Sequence, residues 1–174
     1  VESITLSPID VKEPSVLFAQ YDAKQIYYMQ YSCRAQDKFD VKNSPIANLY
    51  NSYFSGGMNS IVFQEMREAR GLAYSSYAYL GQGKTCNEPY YFYAFIATQN
   101  DKMQQAIEAF DEIIENMPQS EAAFELTKQG LLTGMATGRT TKMDVLWKYI
   151  GDMQFGITDI NRTEAVYNGI QTMT

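Results

Sequence analysis

Residues Asn51–Leu80 read NSYFSGGMNSIVFQEMREARGLAYSSYAYL, and within them the period of the apolar residues changes. Up to Gly56-Gly57 the apolar positions Ile46, Leu49, Tyr50 and Tyr53 or Phe54 fall at helical spacing, and the glycine pair stops or bends that helix. Met58, Ile61, Val62 and Met66 then form the stripe of a second helix from about Asn59 to Arg70, with Gly71 as its left-handed exit. From Ala73 the period drops to two: AYSSYAYLG alternates as a half-buried strand. The order is helix, helix, strand.

Working outward, KQIYYMQYSC (residues 24 to 33) is rich in aromatic and β-branched residues and predicts a strand, followed by a polar break at AQDKFDVKN. YYFYAFIAT, from Tyr90, is apolar almost throughout and belongs deeper in the sheet, while GQGKTCNEP reads as the connection of an antiparallel pair. Helical patterns fill the remainder. Met103, Ile107, Phe110, Ile113, Ile114 and Met117 give one core face, with Pro118 as a stop. Ser120 caps a helix carrying Phe124, Leu131, Leu132 and Met135. Thr141 and Asp144 form a capping box before a stripe of Met143, Leu146, Trp147, Ile150 and Met153. A last helix starts near Arg162 and stops in mid-pattern at Thr174, an ending that suggests a truncated domain. The expected fold class is α+β in two layers, a mostly antiparallel sheet covered on one face by helices. Residues 1–20 read as an N-terminal arm or linker and residues 21–174 as the domain.

Composition narrows the chemistry. At 174 residues the chain has the size of one domain, and its net charge of −6 repels nucleic acid. No apolar run is long enough to cross a bilayer, and the first residues have neither the basic start nor the apolar centre of a signal peptide, so the chain reads as soluble, cytoplasmic or periplasmic if bacterial. Cys33 and Cys86 sit in segments that read as strands and are expected to be buried small apolar residues. Histidine is absent altogether. That removes the usual general base, excludes Ser-His-Asp and Cys-His catalysis, and deprives a zinc site of its commonest nitrogen ligand. No metal ligand and no cofactor are assigned to this chain.

The YFSGGMNSIVFQEMREARGLAYSSYAYL block, with the strand at Lys24 to Cys33 before it and YYFYAFIATQ after it, resembles the pitrilysin/insulinase superfamily of zinc peptidases, in its non-zinc, C-terminal or "inactive" domain. The likeness covers roughly residues 20 to 174. It implies a pair of homologous α+β domains enclosing a chamber, one holding zinc through an HxxEH motif. The other lends an arginine and a tyrosine seven residues apart to a bound peptide. Those positions fall on Arg67 and Tyr74. The resemblance thus implies a catalytic pair at Arg67 and Tyr74, zinc in the partner domain and a peptide substrate. The partner is a homologous zinc-binding domain on the same polypeptide or on another subunit.

The physical basis of such a loan is general. When a peptide carbonyl is attacked its oxygen gains negative charge, and a phenol about 3 Å away stabilises that state more than the neutral one. A guanidinium fork holds a main-chain carbonyl or orients the phenol. Gly56, Gly57 and Tyr77 are the candidates for bordering the substrate. Each residue also has a plainer reading: Arg67 as a solvated charge, Tyr74 as a packing aromatic, the glycine pair as a helix break, and the tyrosine-rich face as a surface packed under helices. Arg70 reads as a helix-end charge, and Glu65 and Glu68 as exposed partners for nearby arginines. Two other functions stay open. One is a structural or assembly module of the same fold, like a processing-peptidase-like core subunit; the other is a free-standing peptide-binding domain.

Overall fold

The computed structural model describes residues 13–20, 22–83, 85–159 and 162–174, without the side chains of residues 34 and 35. Of the arm expected over residues 1–20, the first twelve lie outside the described residues, and 13–20 are exposed and carry neither helix nor strand.

Three strands, β1 (Gln25–Lys38), β2 (Ser75–Gly81) and β3 (Pro89–Gln99), form an antiparallel sheet in the order β1-β3-β2. The continuous apolar run of β3 occupies the centre, where neither edge meets water. β2 and β3 form the expected hairpin, with Tyr77 opposite Phe95 and Tyr79 opposite Tyr93. β1 departs from expectation by running past Cys33 to Lys38, through an irregularity between the Cys33–Tyr91 and Lys38–Pro89 pairs. Its polar end is tolerated because an edge strand meets solvent. Cys86 lies in the β2–β3 connection rather than in a strand, and both thiols are only half-buried, since one sits in a loop and the other on the sheet's uncovered side.

Alternation gives the sheet two unlike faces. Ala78, Ala94 and Ile96 point one way and are buried against Phe54, Val62, Met66, Phe110 and Ile113. Those five come from α1 (Ser44–Ser55), from α2 and from α3 (Met103–Glu115). α2 opens as an α-helical turn, Ile61–Phe63, and continues in π-helical winding over Gln64–Ala69. Small residues on the sheet let the helices approach closely. The other face carries Tyr27, Met29, Tyr31, Tyr77 and Tyr79, all exposed. Its rings lean on each other, Tyr77 to Phe95 at 5.1 Å and Tyr31 to Tyr91 at 5.5 Å between centroids. The tyrosine-rich side is therefore the open one, with the helices on the alanine-rich side.

Three further helices, α4 (Glu121–Thr137), α5 (Lys142–Gln154) and α6 (Arg162–Gln171), follow as expected, with Ser120 capping α4 and the Thr141–Asp144 capping box starting α5. α4 and α6 pack on α1 around a small second core of Leu132, Val166 and Ile170. A side chain at Gly169 would put its Cβ 2.6 Å from Pro45 Cγ, so the bare backbone of α6 rests there on the proline ring of α1. Two expected stripes are corrected. Met58 is exposed, because α2 does not begin until Ile61 and Met58 sits in the preceding turn, its carbonyl accepting from Gln64 Nε2 at 2.6 Å. Met143, Leu146, Trp147, Ile150 and Met153 of α5 all face solvent, because no other described element packs along that side of the helix.

Candidate functional site

α2 ends in a tightly tied turn. The Met66 carbonyl accepts from the N–H groups of Leu72 (2.9 Å) and Ala73 (3.3 Å), and Gly71 N–H reaches the Arg67 carbonyl at 3.2 Å. Gly71 sits at φ +58°, where a side chain is strained, so glycine makes this abrupt exit possible. Thr98 Oγ1 donates to the Leu72 carbonyl, and Tyr74 N–H donates to Ala97 C=O at 3.0 Å, fixing the chain to β3 as it enters β2. The π-helical winding just before the turn breaks the 3.6-residue wheel, so positions beyond Gln64 are not where an ideal helix puts them.

This turn brings Arg67 and Tyr74 together. The Arg67 guanidinium lies 5.8 Å from the Tyr74 ring centroid and 5.0 Å from that of Phe63, a contact between cation and rings worth about 0.5–1 kcal/mol at an exposed site. Tyr74 is 81% exposed, and its hydroxyl has no hydrogen-bond partner among the described residues. The nearest carboxylate to Arg67, Glu68 Oε1, stands 3.7 Å from Nε, a loose pair that leaves the outer nitrogens open. Arg70 is occupied instead: its Nη1 is 2.8 Å from Glu112 on α3 and its Nε 3.7 Å from Glu65. One arginine is committed to holding α2 on α3. The other rests on rings beside a free phenol.

The remaining candidates fall elsewhere. Gly56 and Tyr77 share a shallow hollow of about 620 Å³, with Asn51, Ser55, Tyr79, Tyr91 and Tyr93 also lining it. Gly56 closes α1, its N–H bonded to Ser52 C=O at 3.1 Å, and a Cβ there would come within 2.5 Å of Ser52 Cα. Gly57, at φ +128°, makes the turn after α1 and does not line the hollow. Hydrogen bonding to Tyr77 holds the Tyr93 phenol above its ordinary pKa, with burial and the Tyr77 charge adding to it. The hollow does not include Arg67 or Tyr74, so the five candidates do not form one site: Gly56 and Tyr77 share the hollow, Arg67 and Tyr74 the exit of α2, and Gly57 lies outside both. Phe63 escaped the sequence reading, although its spacing of four from Arg67 puts both on one helix face.

Among the described residues no three Cys, Asp or Glu side chains gather as a metal site, and with no histidine in the chain these residues do not fit zinc. No described helix is long and apolar enough to cross a membrane.

The fold is that of solved peptidase domains. A structure titled peptidase M16 inactive domain, from Pseudomonas fluorescens, superposes with TM-score 0.67 at 20% identity over 88% of this chain and 36% of that one. The inactive peptidase domain of a Bordetella parapertussis protein described as a zinc protease superposes at 0.57, with 13% identity over 86% of this chain and 79% of that one. A protease from Helicobacter pylori gives 0.56, with 13% identity over 86% and 39%. The chain thus spans little more than a third of the Pseudomonas structure it resembles. A comparison with curated proteins gives no match. A family profile, the peptidase M16 inactive domain, matches residues 3–131, and the chain belongs to that family. The match begins inside the segment read as an arm and ends within α4.

Proposed function

We propose that this chain is the metal-free half of a zinc endopeptidase acting on peptides or unfolded polypeptide, and that it lends Arg67 and Tyr74 to a substrate held against a homologous zinc-bearing domain. One observation carries the reading: Arg67 lies beside Tyr74 at the exit of α2, with the phenol exposed and without a hydrogen-bond partner among the described residues. A hydroxyl already bonded within its own domain would have to break that bond before serving a substrate. This one is ready to donate.

In this role the Tyr74 O–H donates to the substrate carbonyl oxygen as negative charge builds there, and the proton stays on the phenol. The Arg67 fork grips a neighbouring main-chain carbonyl of the peptide. The ring of Phe63 under the guanidinium limits its freedom, so less entropy is lost on binding. Neither side chain activates water, and the residues that would do so belong to the other domain, on the same polypeptide or on a second subunit. The exposed apolar side of α5 and the open tyrosine face supply surface for such a pairing.

The test is Tyr74→Phe in the protein assembled with its zinc-bearing half. Turnover should fall roughly a hundred- to thousandfold, as when an oxyanion donor is removed, with the melting temperature unchanged. Activity within about twofold of the parent would exclude the oxyanion role. Absence of peptidase activity with every zinc-bearing half would leave a module of assembly instead.

A further inference from the structure

A second hollow, of about 890 Å³, lies where the end of β1, the start of α1 and the turn between α5 and α6 meet, and neither Arg67 nor Tyr74 is among its walls. That is the size of a small-molecule site. Its apolar wall is braced from several sides. The Phe39 ring packs on Phe155 at 4.6 Å between centroids and under the Arg162 guanidinium at 5.6 Å, and the Tyr90 hydroxyl donates to the Asp40 carbonyl at 3.3 Å. Val41, Ile157 and Val166 extend the apolar surface. A wall already held by rings and hydrogen bonds loses little freedom when a ligand arrives.

The charges are unevenly committed. Among the described residues, Lys38, Lys42 and Arg162 line the hollow against Asp40 and Asp159, in a chain where acids outnumber bases by twenty to fourteen. Arg162 is held by Asp152 and Ser44. Asp40 Oδ1 accepts from Lys42 N–H at 2.9 Å, capping the short helix Val41–Asn43, and Asp159 is engaged as well. The two lysines are different: both are exposed, and neither ammonium has an ion pair or hydrogen bond among the described residues. Uncommitted cations beside an apolar hollow select a ligand by its sign.

We infer that this hollow binds a small amphipathic anion, with the charged head at Lys38 and Lys42 and the apolar body against Phe39, Val41 and Phe155. A cation of the same shape is repelled, and a neutral apolar body gains nothing from the lysines. Because the hollow shares no residue with Arg67 and Tyr74, its ligand binds whether or not those two serve a substrate. The chain also carries its own reporter and control: half-buried Cys86 lines the hollow, whereas Cys33 lies outside it on the open side of the sheet.

The probe is decanoate, added to the full chain while iodoacetamide alkylates the two cysteines and mass spectrometry follows each one. Decanoate should slow Cys86 in proportion to occupancy, about tenfold at ten times its dissociation constant, and leave Cys33 at its own rate. Decylamine, with the same tail and the opposite charge, should protect neither. Replacing both lysines, Lys38→Gln with Lys42→Gln, should weaken protection about tenfold, as for a lost charge-assisted contact. Val41→Asp, at a side chain 40% exposed, should weaken it from the apolar side. Equal protection by decylamine would overturn the inference in the unmodified chain, with no variant needed. Equal slowing of both cysteines would overturn it too, as a coating of apolar surface, and so would an unslowed Cys86 at about 1 mM decanoate.

Discussion

Helices α3 and α5 have the same length, thirteen residues, and the same kind of apolar stripe, yet only one of them buries it. On α3, Ala106, Ala109, Phe110 and Ile113 are sealed against the sheet and α2. On α5 the stripe is in water: Trp147 is 63% exposed and Met153 57%. Periodicity makes a helix amphipathic, but whether its apolar side is covered depends on which elements arrive beside it. α3 is held by its stripe. α5 is held chiefly at its end, where Asp152 pairs with Arg162 at the start of α6, and the Arg162 guanidinium also reaches Ser44 Oγ at 3.3 Å and lies over Phe39.

The most forceful way to break this comparison is to cut equally into both stripes. Phe110→Ala removes a ring fully enclosed in the core and should cost about 3–5 kcal/mol of unfolding free energy. Trp147→Ala, a larger deletion, should change the stability of the isolated chain by less than about 0.5 kcal/mol, as for a surface site. Denaturant titration of the two variants measures both. Similar losses at the two positions would show that α5 is covered in solution and that the contrast is false.

Next in size is the tie itself. Asp152 and Arg162 are both largely buried, so Arg162→Met strands a carboxylate away from water, which for buried pairs costs about 3 kcal/mol or more. Because α5 has little else to hold it, the damage should be local. Amide exchange in α5 and the first turn of α6 should quicken by orders of magnitude, while protection in α3 and β3 stays at the parent level. If the whole domain lost protection together, α5 would be an integral part of the main core and the comparison would need redrawing.

The contrast also marks where sequence reading stops. Strand and helix positions were legible because period two and period 3.6 are local properties, as was the central place of β3, whose apolar run leaves no side for water. The Thr141–Asp144 box and the Gly71 exit were legible for the same reason. The fate of the α5 stripe was not, since nothing within thirteen residues states what lies opposite. Nor was the closing of the β2 edge by Asn51 and Ser55, which act across 29 and 23 residues. The π-helical winding hid part of the site's geometry, because a wheel drawn at 3.6 residues per turn cannot anticipate it. Arg67 and Tyr74 came from the family resemblance rather than from periodicity, and that resemblance said nothing of Phe63 beneath the guanidinium.

The gentlest probe is acid, applied to the start of α5. Asp144 Oδ2 accepts from Thr141 N–H at 2.8 Å and Thr141 Oγ1 at 2.7 Å, and these bonds, the backbone one first, hold its carboxyl below the ordinary carboxylate pKa. A pKa lowered by folding means that the cap contributes fully above the ordinary carboxylate range and is lost as pH falls through the folded value. α3 has no such device, since no side chain caps its first turn. Acidification should therefore release the amides of Asp144 and Val145 to exchange while the first turn of α3 keeps its own pace, and Asp144→Asn, which removes the titrating carboxylate, should abolish that pH dependence. Because α5 lends so little to the core, its fraying should leave the main unfolding transition in place. An acid response of equal size at the start of α3 would mean that the two helices share one stability after all.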